Sequence, residues 1–147
     1  MQRKKHFLVS FTPNPSQNSM SPESHLNERS GMLAGGNWII DQVKIIDIYP
    51  KHEQLANIFD QSQGTGGSPY NVLLDLAKMG AGFPLEGAGL VGQDSLGEYI
   101  MEDCQAHGID TKFVAVSPRT STSYTDVMTE RDGGRRTFFH NRGANAT

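Results

Sequence analysis

The chain has 147 residues, with 13 Lys+Arg against 16 Asp+Glu, 5 His and 1 Cys, a net charge of -3 and 36% hydrophobic residues. That length allows about one domain, no apolar run reaches the roughly 18 residues of a membrane span, and a single cysteine cannot frame a disulfide-built secreted module. The mildly acidic balance argues against a nucleic-acid-binding stripe, while 16 Gly exceed an average composition.

The first 33 residues differ from the rest. From Ser10 to Ser30 there are six Ser, three Pro and three Asn, without helical or strand period. Such a stretch buries too little apolar surface to offset its ordering entropy, so residues 1–33 are expected to form a disordered leader. Its opening MQRKKHFLVSF joins basic residues to an apolar patch of about five residues, short of the roughly 7–15 of a secretory signal. Met32 precedes the first ordered-looking segment and offers an alternative start. The leader holds four Lys+Arg and two Glu, which leaves a net -5 on the remainder.

Residues 34–147 read as folded. Trp38 to Tyr49 is rich in β-branched and aromatic residues and ends at Pro50, which predicts one bent strand or two. Leu55 to Phe59 fits a short strand, with helix as the other option. Gly64-Thr65-Gly66-Gly67 reads as a flexible loop. Ser68 to Met79 predicts a helix, with Ser68 as N-cap and Pro69 in the first position. Val72, Leu73, Leu76 and Ala77 fall on one face of it, and Gly80 suits the position past its end.

Leu85 to Val91 predicts a strand of small residues. A second helix is expected from Asp94 to His107, where Ser95 and Glu98 match a capping box and Asp94 adds negative charge at the start. Leu96, Tyr99, Ile100 and Cys104 form its apolar stripe, and Gly108 closes it. Phe113 to Val116 is a short strand. Ser123 to Asn141 predicts a hairpin, because SYTDVMTE and RRTFFHN flank Asp132-Gly133-Gly134. Helices alternating with short strands imply βαβ units and a parallel sheet, to which the hairpin adds an antiparallel flap.

Two glycine motifs need separate treatment. Gly87-Ala88-Gly89-Leu90-Val91-Gly92 matches GxGxxG, yet in a dinucleotide fold the helix starts inside the glycine run. Here Asp94 and Ser95 lie beyond the last glycine, and Asp110 precedes its strand instead of ending it. Close packing of the strand is the simpler meaning. Gly66-Gly67-Ser68-Pro69-Tyr70-Asn71 instead leads two glycines into a helix N-terminus. Their N–H groups can approach a polar ligand, and Asn71 offers a donor and an acceptor to a hydroxyl-rich molecule. An ordinary capped turn has the same pattern. A P-loop is excluded, since no Gly-Lys-Ser/Thr follows. Asp94 reads as a cap, Cys104 as core, and His107 and His140 lack metal-ligand spacing.

Taken together, the strand with Asp41, the Gly66 to Val72 loop and helix, Val91-Gly92-Gln93-Asp94-Ser95-Leu96-Gly97, Gly108-Ile109-Asp110-Thr111 and RTFFHNRGANA resemble the PfkB, or ribokinase-like, carbohydrate kinases. Fructokinase-type members are the nearest in pattern. The resemblance covers Leu33 to the end. It implies a ribokinase-like three-layer α/β body with an antiparallel β lid, and ATP-dependent phosphorylation of a sugar hydroxyl with Mg2+. It also implies a cytoplasmic protein whose small-molecule partner is a sugar, with no nucleic acid or membrane partner, and whose lid pairs in a homodimer. By the same resemblance Asp41, Gly66, Gly67 and Asn71 contact the sugar, and Arg142 and Tyr124 face it from the lid.

Ribokinases proper carry Asn two positions before the Asp, where this chain has Ile39, and that leans toward keto-sugars. The family's Gly-rich segment with its catalytic Asp does not occur before Thr147, and neither does its ATP site. No catalytic, cofactor-binding or metal residue is therefore expected in this chain, which reads as the N-terminal part of a kinase, cut within its α/β body and without turnover alone. A non-catalytic sugar-binding or interaction module is the alternative, with a dinucleotide-binding domain third.

Overall fold

A computed structural model describes residues 30–146; the expected leader lies outside them except for its last residues. In chain order the elements are β1 (Met32–Gly35), β2 (Ile39–Ile46), β3 (Ile58–Gly66), α1 (Ser68–Lys78), β4 (Leu85–Gly92), α2 (Ser95–Ala106), β5 (Ile109–Ser117), β6 (Ser123–Glu130) and β7 (Arg136–Asn141), closed by a 3-10 turn at Gly143–Ala146. The first strand therefore starts at Met32, within the stretch expected to be leader.

The strands divide between two sheets. The body sheet has the order β1-β4-β5 and is wholly parallel, because α1 returns the chain to β4 and α2 returns it to β5. Trp38, Tyr70, Leu73, Val91, Ile100 and Cys104 belong to one buried cluster, so both helices cover the same face. Leu33 and Phe113 remain exposed.

The lid sheet has the order β3-β2-β6-β7. It is mixed, where an antiparallel lid was expected. The outer pairs are antiparallel, but the central pair β2–β6 is parallel. The cause is the route of the chain, which passes through the whole body before β6 returns beside β2. The hairpin forms around Asp132-Gly133-Gly134 as its sequence predicts, with Glu130 N donating to Arg135 O at 2.9 Å.

Local details shift several expectations. Gly64 to Gly66 are strand, not loop, and of Leu55 to Phe59 only Ile58 and Phe59 join β3. The cap of α1 is Gly67, not Ser68, because the chain enters the helix at φ 84, where a serine would be strained. The buried face of α1 is Pro69, Tyr70, Leu73 and Leu74, while Val72 is exposed. Tyr70 sets that rotation by packing against Trp38, ring centroids 5.4 Å apart. The cap of α2 is Asp94, not Ser95; Asp94 has extended backbone and its side chain accepts from Gly97 N. Tyr99 stays largely exposed, while Ile100 and Cys104 are buried. Gly80 and Gly108 end the two helices with positive φ, as expected.

A polar hinge joins lid to body. Asp94 Oδ2 accepts from Thr122 N at 2.7 Å, and Asp94 Oδ1 accepts from Thr122 Oγ1 at 2.7 Å and Gly97 N at 2.9 Å. Thr122 Oγ1 in turn accepts from Gly92 N at 2.8 Å. Beside them Asn145 Nδ2 donates to Trp38 O at 3.1 Å and Ser123 Oγ at 2.7 Å. Thr122 and Ser123, the start of β6, are fully buried here.

Candidate functional site

Asp41 lies on β2, the second strand of the lid, in register with Gly64 on β3 and Thr125 on β6. It is half-buried, and among the described residues its side chain makes no hydrogen bond or ion pair. Gly66 lies against it. A Cβ at Gly66 would stand 2.8 Å from Asp41 Oδ1, so only glycine leaves the carboxylate undisturbed. At Gly67 a Cβ would collide with the carbonyl of Asn37. The two glycines thus turn the chain sharply from lid strand to helix and bring the first turn of α1 beside Asp41.

Asn71 belongs to that first turn. Its N donates to Gly67 O at 3.2 Å, and its Oδ1 accepts from Thr65 Oγ1 at 2.6 Å. The amide Nδ2 is left as a donor. Gly66 is thus in contact with Asp41, while Asn71 is tied to Thr65, whose register with Ile40 sets it on the other face of the lid.

The two lid residues do not join them in the same way. Tyr124 is in register with Ile40, so it stands on the face of the sheet opposite Asp41. Arg142 follows β7 and is exposed, and its carbonyl accepts from Ser123 Oγ. Asp41's face instead holds Thr125 and His140, which are in register across β6 and β7 and bonded at 2.9 Å between Thr125 Oγ1 and His140 Nδ1. Neither is a site residue by its sequence alone, where His140 only lacks metal-ligand spacing. The signal for their pairing was present, because a hairpin centred on Asp132-Gly133 sets Thr125 opposite His140; the parallel pairing that adds Asp41 had none.

The remaining polar groups have structural partners. Burial pushes the Asp94 carboxyl up, but hydrogen bonds from Thr122, Gly97 and Leu96 outweigh it and hold the group below its ordinary value. Burial, with the nearby Asp103 charge, pushes the Cys104 thiol up to about 12, so it is not a nucleophile at neutral pH. Tyr70 donates to Asp103 Oδ2 at 2.6 Å, and His107 lies 3.2 Å from Asp103 Oδ1. The GxGxxG run is filled by protein. A Cβ at Gly87 would lie 2.6 Å from the Trp38 ring, and Gly89 meets the same ring. The run serves packing, against Trp38 on β2's approach. Among the described residues no group of three or more His, Cys, Asp or Glu converges to hold a metal ion. No helix among them is long and apolar enough to cross a membrane.

A helix-covered parallel body sheet and a mixed lid sheet define the ribokinase-like class of α/β fold. Solved structures share it. A ribokinase from Cryptococcus neoformans var. grubii serotype A, in complex with ADP, matches with a TM-score of 0.67 at 21% identity, over 80% of this chain and 36% of its own. Arabidopsis thaliana ribokinase, complexed with ribose and ATP, matches with a TM-score of 0.67 at 21% identity, over 79% of this chain and 37% of its own. A fructokinase from Xylella fastidiosa gives 0.59 at 22% identity, over 78% and 34%. The chain thus spans little more than a third of these enzymes' length. No curated protein matches it. Residues 36–147 match the family described as pfkB family carbohydrate kinase, and the chain belongs to that family.

Proposed function

We propose that this chain is the sugar-binding part of an ATP-dependent carbohydrate kinase, in which Asp41, Gly66, Gly67 and Asn71 hold a monosaccharide while ATP, with Mg2+, phosphorylates one of its hydroxyls in the cytoplasm. The observation that carries the reading is Asp41, a half-buried carboxylate with no side-chain partner among the described residues, kept open by Gly66. A carboxylate accepts from two hydroxyls at once, with bonds roughly twice as strong as neutral ones. Asn71 Nδ2 and the first-turn N–H groups of α1 add donors for the same ligand.

Calorimetric titration of the chain with aldoses and ketoses tests this. Binding is expected, with a loss of about tenfold or more in Asp41→Ala, since hydrogen bonds to a charged group contribute about 1.5–3 kcal/mol. Equal affinity in that variant refutes the assignment. Incubation of the chain with sugar and ATP, read as ADP release, separates a complete kinase from a sugar-binding module.

The lid also suits pairing with a second copy. At its far end Tyr49 stacks on Phe139 at 6.5 Å, and with Ile46, Ile58 and Met128 they line one apolar hollow on the face opposite Asp41. Contiguous apolar surface of this kind marks an interaction site. Sedimentation is expected to give a dimer that Phe139→Asp dissociates.

A further inference from the structure

We propose that His140, oriented by Thr125, is a second sugar-reading group that binds a different hydroxyl from the one held by Asp41. This rests on the sugar-binding reading above and adds to it a determinant of which sugar is accepted. Asp41, Thr125 and His140 occupy registered positions on β2, β6 and β7, so their side chains leave the same face in one row. Thr125 is buried, and its Oγ1 lies 2.9 Å from His140 Nδ1. That bond fixes the ring, and the exposed Nε2 has no other partner among the described residues. When the Thr125 hydroxyl donates to Nδ1 the neutral ring presents Nε2–H as a donor, and when Nδ1–H donates Nε2 is an acceptor. The row therefore offers a carboxylate at Asp41 and a ring nitrogen at His140 to the hydroxyls of a sugar.

Adjacent strands lie about 4.8 Å apart, so the Cα atoms of Asp41 and His140 stand about 10 Å apart across β6. That span lets the two side chains hold separate hydroxyls of one monosaccharide ring. The next row outward on the same face is Val43, Val127 and Phe138, an apolar shelf for the C–H side of such a ring.

The test is a nitrogen-detected NMR titration of the whole chain with a panel of pentoses, hexoses and their monodeoxy forms, following the His140 imidazole and the Gly66 and Gly67 amides. With a bound sugar, both sets of signals are expected to shift. His140→Leu is expected to weaken binding about tenfold and His140→Gln, which keeps a donor, to restore most of it. One monodeoxy sugar is expected to lose about tenfold with the unmodified chain and nothing further with His140→Leu. Thr125→Val is expected to release the Nδ1 signal and weaken binding less. Because His140 is exposed, the thermal midpoint of His140→Leu is expected to match that of the unmodified chain, which separates binding from folding. Shifts at Gly66 and Gly67 without any at His140 overturn this inference and leave the sugar-binding reading intact. No shift at either with any sugar overturns both.

Discussion

Body and lid are built from similar numbers of strands but are held by different forces. In the body, Trp38, Tyr70, Leu73, Val91, Ile100 and Cys104 are sealed from solvent around a parallel sheet. In the lid, the buried large apolar residues among those described are Ile40, Ile46 and Val127 of the two central strands, and Phe59, Phe138 and Phe139 face solvent. The body holds its shape by packing. The lid keeps its polar face open and is secured at one end, where Asp94 binds Thr122. A recognition surface needs that arrangement, because side chains sealed into a core cannot meet a ligand.

Substitutions can break or sharpen this contrast. The largest effect is expected at Trp38, which fills the space above Gly87 and Gly89 and donates from Nε1 to Ala88 O at 2.9 Å. Trp38→Ala is expected to cost about 3–5 kcal/mol in urea denaturation. A loss under about 1 kcal/mol would show that packing does not dominate the body. Next comes Asp94→Ala, which removes the cap of α2 and strands two donors of Thr122, at about 2–3 kcal/mol.

The same carboxylate gives a pH signature. Its folded value is depressed below 3.8, so its stabilising contribution is complete above that pH and is lost as pH falls through the lower folded value. Stability of the unmodified chain should drop in that acid window, and the drop should be smaller in Asp94→Asn. Within the lid, Lys44 pairs with Asp126 on partly buried side chains, and Lys44→Met is expected to cost about 0.5–1 kcal/mol by limited proteolysis. The smallest effect is Arg135→Ala. Its partner is Glu130, but the side chain is 77% exposed, and a change within about 0.5 kcal/mol is expected.

Much of the body was legible from the chain. Pro69, Gly80 and Gly108 mark helix ends by local rules, and the strand–helix alternation from Ser68 to Ser117 predicts a parallel sheet. The hairpin was equally local, announced by Asp132-Gly133. What local rules miss is pairing between distant segments. Gly64 to Gly66 look like loop because glycine lacks strand propensity; they are strand because Ile39 and Asp41 need close neighbours. Ser68 looks like a cap, but the turn demands positive φ one residue earlier. Asp41, Gly66, Gly67 and Asn71 were found through a family pattern. His140 is not a site residue by its sequence alone, because its proximity to Asp41 depends on β2 and β6 lying parallel.

That central parallel pair also sets an order of events as the protein is made. Lys44 and its partner Asp126 are 82 residues apart, with α1, β4, α2 and β5 between them. The β2–β3 ribbon leaves the ribosome early and must wait, its inner edge unpaired, until β6 emerges; at about 5–20 residues per second that wait lasts several seconds. Contacts so distant in sequence are slow to close. Polar Gln42 and Lys44, alternating with apolar neighbours along that waiting edge, are the kind of residue that discourages it from joining another nascent chain.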